Sequence, residues 1–283
     1  MAVSRRKKIL VTLAALLLCG VALALWAFVI EPSRLTVRQE TVRLGNWPPR
    51  LDGLKIVLMA DLHIGSPHVG ADKLPRIVEL ANAQQPDLIL LAGDYVVGDE
   101  AGAEFVEQSV IANGLKGLRA RLGVYAVLGN HDWWEGGPKM RQALEDAGVR
   151  VLDNRALRLE SNGQAFWLMG LADFWEGQPD IKGTLAQVTD TDTPVLAVTH
   201  NPDIFPEVPE RVSLLMAGHT HGGQVWLPFV GRYVVPSKYK QRYAIGHIVE
   251  GAKHLYVTPG IGTSVFPVRF LTPPEITVLR LTN

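Results

Sequence analysis

Five short blocks hold side chains able to do metal chemistry: Asp61-Leu62-His63, Gly93-Asp94, Gly129-Asn130-His131-Asp132, His200-Asn201-Pro202 and Gly218-His219-Thr220-His221. Their donors are carboxylate, imidazole and amide groups with no thiolate. That set suits zinc, manganese or iron, and does not suit copper(I) or an iron-sulfur cluster. It also contains more ligands than one ion requires, so two divalent ions are the natural accounting. Asp94 is the candidate bridge, because a shared carboxylate keeps two ions about 3.5 to 4 Å apart, the spacing used in two-metal hydrolysis of phosphate esters.

Each block directly follows a short apolar run: Ile56 to Ala60, Leu88 to Ala92, Val124 to Leu128, Val195 to Thr199 and Leu214 to Ala217, with a further run at Leu255 to Thr258. Continuous apolar runs of this length read as strands buried on both faces. Polar stretches over 71–84, 103–120 and 138–147 are compatible with helices, which gives the βαβ rhythm of an α/β domain. At an extended strand tip, residues i and i+2 point to one side, so Asp61 with His63, and His219 with His221, can each aim at one point. Glycine beside a ligand lets backbone approach an ion closely. Between Leu157 and Leu171 the pattern alternates around Ser161-Asn162-Gly163, a tight hairpin signal. A turn is expected at Asn46-Trp47-Pro48-Pro49. The reading is one α/β domain of two packed sheets over 53–283, preceded by a connector with an edge strand over 31–52.

The start of the chain is different in character. Arg5, Arg6, Lys7 and Lys8 precede an uncharged, mostly apolar stretch from Ile9 to Ile30, followed by Glu31-Pro32. As a helix this stretch reaches roughly 33 Å, enough to cross a hydrocarbon core. Residues 1–30 are therefore expected to be a retained signal-anchor transmembrane helix, although Ala22-Leu23-Ala24 offers a small-residue cleavage site. The basic flank places the amino terminus in the cytoplasm and the body outside. Ser4-Arg5-Arg6 resembles the start of a twin-arginine export signal, with Lys8 where that pattern has a large apolar residue. Net charge is zero, and setting the four leading basic residues aside leaves 24 basic against 28 acidic residues. No basic stripe is available for a polynucleotide backbone, so nucleic acid is not the expected partner. A single cysteine, Cys19, rules out an intrachain disulfide.

Taken in order and with their spacing, the five blocks resemble the motif series of the calcineurin-like metallophosphoesterases. The resemblance implies a four-layer α/β/β/α sandwich of two mixed sheets. It implies one ion on Asp61, His63 and His221, a second on Asn130, His200 and His219, and Asp94 serving both. His131 matches the family's catalytic histidine. The implied activity is hydrolysis of a phosphodiester or monoester, small or lipid-linked, by a hydroxide shared between the ions. His219-Thr220-His221-Gly222-Gly223-Gln224, with Pro267-Val268-Arg269-Phe270 and Pro273-Pro274-Glu275, is similar to a bacterial membrane-anchored subgroup, which implies the bacterial inner membrane as location. Protein phosphatases of the superfamily carry an acidic residue where this chain has Val97, which disfavours a phosphoprotein phosphatase. A pyrophosphatase acting on a nucleotide-diphospho-sugar lipid would need a cytoplasmic site, and a binding module using its ions structurally would close their coordination with protein ligands.

The remaining candidates have bland readings beside functional ones. His68 follows the first motif closely enough to line the site, whereas His247 and His254 read as ordinary polar residues. Asp132 reads as a loop residue capping the next helix. Trp133 and Trp134 could stack on a substrate or line an acyl groove, against the commoner role of filling core or covering a rim. Gly222, Gly223 and Gln224 are candidates for shaping the loop beside an ion.

Overall fold

The computed structural model describes residues 4–45, 47–98 and 102–283. In chain order these form α1 (Arg5–Leu25), β1 (Thr36–Arg43), β2 (Leu54–Met59), α2 (Leu74–Ala83), β3 (Leu88–Ala92), α3 (Gln108–Leu115), β4 (Val124–Val127), α4 (Asn130–Trp134), α5 (Gly137–Asp146), β5 (Arg150–Val151), β6 (Arg155–Ser161), β7 (Gln164–Gly170), α6 (Ile181–Leu185), β8 (Val195–Val198), β9 (Val212–Ala217), β10 (Gly246–Glu250), β11 (Lys253–Val257) and β12 (Glu275–Thr282).

Two mixed six-stranded sheets carry the body, in the orders β1-β12-β2-β3-β4-β5 and β10-β11-β9-β8-β7-β6. Strands β2 to β5 run parallel, as do β7, β8, β9 and β11. Parallel strands need both faces covered. Ile56, Leu58, Leu90 and Val127 of one sheet pack on Phe166, Leu168, Leu196 and Met216 of the other, making the central core. The alternate residues Val57, Met59, Ile89 and Leu91 face outward onto Ile77, Ile111 and Leu144 of α2, α3 and α5. The outer face of the second sheet is covered more thinly, by Ile204 and Phe205 of a 3-10 stretch (Pro202–Glu207), by Tyr243 and by α6. The four-layer expectation therefore holds with one layer built from short turns.

The hairpin β6–β7 closes through Asn162 and Gly163, both with positive φ (53° and 70°), as the Asn-Gly signal requires. Two sequence expectations need adjustment. The helix read over 103–120 is confined to Gln108–Leu115, because the Glu104 amide donates to the Gly65 carbonyl and draws 103–107 into a loop-to-loop contact. Asn46 of the expected turn lies outside the described residues. Its neighbour Trp47 is buried and donates to the Leu51 carbonyl at 3.0 Å, ahead of a 3-10 turn at Pro49–Leu51.

Helix α1 continues as a π-helical turn, Trp26–Ile30. Arg5–Ile30 is long and apolar enough to cross a membrane by length and composition, and its most apolar stretch is not buried against the body.

Candidate metal centre

Strands β2, β3 and β4 of one sheet and β8 and β9 of the other all point their carboxyl ends to one side, where ligands gather in parallel α/β sheets. Asp61, His63, Asp94, Asn130, His200, His219 and His221 all lie there and all are buried. They are brought together, but not by extended strand tips. Asp61, His63, Asp94, His219 and His221 have φ of 50°, 42°, 56°, 68° and 50°. Left-handed turns aim these side chains, a conformation that Asp and His visit more readily than most residues. The side chains converge, but from left-handed backbone and not from the i, i+2 alternation of an extended strand. Such positions cost of order 1–3 kcal/mol each, and persist only where the surroundings over-determine them.

Donor atoms form two adjoining groups. In one, His63 Nε2 and His221 Nε2 face each other at 3.2 Å, and Asp61 Oδ1 lies 3.6 Å from His221 Nε2. In the other, His200 Nε2 lies 3.2 Å from Asn130 Oδ1 and 3.1 Å from His219 Nδ1. Between them, a single oxygen, Asp94 Oδ2, is 3.1 Å from His200 Nε2 and 3.6 Å from His63 Nε2. The other Asp94 oxygen accepts from the His131 amide at 2.9 Å. Asp61-His63-His221, His63-Asp94-His131 and Asp94-His200-His219 each place their donor atoms close enough for a common cation.

The donor chemistry fits divalent ions. Imidazole nitrogens at 3.1–3.2 Å repel unless a proton or a cation lies between them, and the second nitrogens of His63 and His221 are buried without hydrogen-bond partners. His200 Nδ1 lies 2.7 Å from the Ala92 carbonyl and donates to it, which leaves Nε2 with its lone pair toward Asp94 and Asn130 when the ring is neutral.

Electrostatics follow from burial. Desolvation lowers His63 and His219 to about 3 and holds His221 well below its ordinary value, so all three are neutral and able to ligate at pH 7. Desolvation raises Asp61 to about 7, against the pull of His200. Burial opposes charge on both Asp94 and His200, but their mutual attraction wins. His200 is pushed up to about 10, and Asp94 is held below the usual carboxylate range.

Close backbone approach explains two of the motif glycines. A Cβ at Gly129 would sit 2.2 Å from Asp94 Oδ1, and one at Gly218 would sit 2.6 Å from Asp61 Oδ2.

Asp132 has a larger role than the loop cap read from sequence. It sits inside α4, fully buried, and its carboxylate accepts from the amides of Gly129 (2.8 Å), Asp94 (2.8 Å) and Tyr95 (2.9 Å). It ties the β3 and β4 loops into one piece. Arg269, from the later motif, is also fully buried and donates to the carbonyls of Pro259, Gly260, Gly262 and Thr272. This holds the β11 loop against Asp61 and His63, since Cβ atoms at Gly260 and Gly262 would fall 2.6 Å from those side chains.

The rim is aromatic. Exposed Trp134 leans on the His131 ring at 4.8 Å and donates to Glu176, and exposed Trp175 meets His219 edge-on at 4.4 Å. Trp133 instead packs against the core under α5. Asp173, buried at the end of β7, accepts from the Trp175 and Glu176 amides and was not singled out from the sequence. Its only signal there is its place after the apolar run of β7. His68 does not join the centre: its Nδ1 lies 3.3 Å from Ser33 Oγ, near the end of the apolar helix. His247 and His254 stack across the β10–β11 hairpin.

The calcineurin-like phosphoesterase family profile matches residues 54–223, which contain every candidate ligand named above. The chain is 36% identical over 243 residues to the phosphodiesterase YaeI of Escherichia coli, covering 84% of this chain and 86% of that one. It is 33% identical over 259 residues to the uncharacterized metallophosphoesterase YkuE of Bacillus subtilis, covering 90% and 88%. A transmembrane protein with metallophosphoesterase domain of Danio rerio is 28% identical, covering 95% of this chain and 62% of that protein. The chain belongs to the calcineurin-like phosphoesterase family and is a hydrolase of phosphate esters.

Proposed function

We propose that this protein is a membrane-anchored phosphodiesterase or phosphomonoesterase that works with two divalent ions. Asp61, His63 and His221 hold one ion, Asn130, His200 and His219 hold the other, and Asp94 Oδ2 holds both. The observation that carries the reading is that this one oxygen faces His63 Nε2 and His200 Nε2 at 3.6 and 3.1 Å. Ions bound there would lower the pKa of a water toward neutrality and neutralise phosphate oxygens. The chain's residues supply the rest. Seven ligands divided over two ions leave positions for water and substrate. His131 is only half buried and lies beside the centre, 4.7 Å from His63 between ring centroids. There it is placed to hydrogen-bond the transition-state oxygens or to protonate the departing alcohol. Trp134 and Trp175 border the substrate's approach.

The apolar helix is read as a retained anchor in a bacterial inner membrane, amino terminus inside and catalytic body outside, from the Arg5–Lys8 flank. Metal content of protein purified without chelator, paired with turnover of bis(p-nitrophenyl) phosphate, p-nitrophenyl phosphate and a phosphopeptide, tests the activity. Two ions per chain with turnover of the small esters is the expected result; metal-loaded protein that hydrolyses none of them contradicts it. A reporter fused after Asn283 that is active only inside the cytoplasm contradicts the orientation.

A further inference from the structure

The centre has an apolar neighbour. A cavity of about 370 Å³ opens beside it, with His221 in its wall and Leu227, Val234, Val265, Phe266 and Val268 among its apolar lining. That is the size of a small-ligand pocket, yet its walls offer little to a polar ligand.

The surface around it is apolar as well. Of the fourteen large apolar side chains exposed on the body among the described residues, nine lie in 226–234 and 265–271. Tyr233 and Val234 are 87% and 72% exposed, and Phe229 is fully so. A patch this concentrated marks a surface that meets something apolar. The two segments form one unit: Phe270 donates to Gln224, Trp226 donates to Phe270, and the Gln224 side chain bonds Phe266 and Ser264.

This unit is fastened to the end of the apolar helix. The Arg269 amide donates to the Ala27 carbonyl at 2.9 Å, and the Thr272 amide donates to Glu31, which also receives the Trp26 indole. From Lys8 to Ala27 a helix rises about 28 Å, close to the thickness of a hydrocarbon core. With the basic flank at one interface, Ala27 reaches the other. The loops bonded to it therefore lie at the bilayer boundary, with Trp26 and Arg34, stacked at 5.5 Å, as residues suited to that depth.

We infer that the 226–234 and 265–271 loops rest in the membrane surface, and that the cavity beside His221 takes the aliphatic chain of a bilayer-resident phosphate ester. This rests on the phosphoesterase reading above and narrows its substrate to lipids. The phosphate sits at the centre, the chain runs into the cavity, and the tail remains continuous with the bilayer. Hydrolysis puts the oxygen of water on phosphorus, breaks the phosphorus–oxygen ester bond, and releases the alcohol with a proton.

The test uses the full-length, metal-loaded chain in phosphatidylcholine vesicles, with p-nitrophenyl phosphate diesters carrying a methyl or an octyl group and bis(p-nitrophenyl) phosphate as the chain-free substrate. Burying methylenes should raise kcat/KM for the octyl ester over the methyl ester by more than about 30-fold. In Val234→Ser and Phe266→Ser, both at exposed positions, that ratio should fall by at least about tenfold. Equal kcat/KM for the two alkyl esters in the wild-type chain, with bis(p-nitrophenyl) phosphate turned over, overturns the lipid assignment and leaves the phosphoesterase standing. A preference that survives both substitutions unchanged also overturns it, because partition into the bilayer alone would then explain the preference. Absence of turnover with all three esters removes the phosphoesterase reading and the inference with it.

Discussion

Asp132 binds no proposed ion, yet its removal should unmake the centre. Three backbone amides, of Gly129, Asp94 and Tyr95, donate to its carboxylate at 2.8–2.9 Å in a fully buried position, and a fourth, of Val96, is 3.4 Å away. Asp132→Ala strands these donors where water cannot reach them easily. At about 1–3 kcal/mol for each unmet buried donor, with incomplete additivity, the loss should be about 3–6 kcal/mol. Asp132→Asn retains one acceptor oxygen. With that oxygen turned to Gly129 and Asp94, only the Tyr95 side is lost, so the cost should be about half as large. Urea unfolding of the metal-free protein in detergent, followed by tryptophan fluorescence, measures both. Metal content should fall in the same order, because the amides of Asp94 and Gly129 locate the loops that carry Asp94 and Asn130. An Asp132→Ala protein destabilised by less than about 1 kcal/mol, with normal metal content, would refute the reasoning that this carboxylate organises the centre.

His131→Ala should keep its metal content and lose about 10²–10⁴-fold in kcat on bis(p-nitrophenyl) phosphate, a general-acid contribution; loss of metal instead would make His131 a ligand. Metal uptake should release protons: His200 (about 10) must shed one, and Asp61 (about 7) about half of one at pH 7. The metal-free form binds more protons than the loaded form, so affinity should rise with pH, by about one to two log units per pH unit between pH 6 and 8; calorimetry in buffers of different ionisation enthalpy that finds no proton release would contradict this. Arg269→Lys should lower metal occupancy of the Asp61 group by at least about tenfold while leaving the His200 group filled, because one ammonium cannot span four carbonyls; unchanged occupancy by elemental analysis would show that the β11 loop needs no such brace.

Strands β2, β3, β4, β8 and β9 were legible because each is buried almost throughout and reads as an apolar run, as Leu88–Ala92 shows with matching bounds. The hairpin was legible through Asn162-Gly163, where the turn demands two positive φ values. The candidate ligands were legible because an apolar strand ending in a donor recurs five times in order, three times with a glycine directly before the donor. What escaped was what tertiary contacts decide. Helix α3 is shortened by a bond from Glu104 to Gly65, 39 residues earlier in the chain, and no local pattern reports that. Asp132 looks like any helix-capping residue until the Asp94 loop folds over it. Nothing local to Arg269 reports that its guanidinium is buried among carbonyls that only folding assembles. The left-handed turns at Asp61, His63, His219 and His221 carry no signal beyond the tolerance of Asp and His for that conformation.

Anomalous diffraction from crystals of the metal-loaded protein tests the shared carboxylate most directly. Two peaks about 3.5 to 4 Å apart, with Asp94 Oδ2 touching both and the Asp61 and His200 groups on opposite sides, is the arrangement expected. A single peak, or two peaks of which Asp94 touches only one, would contradict the account.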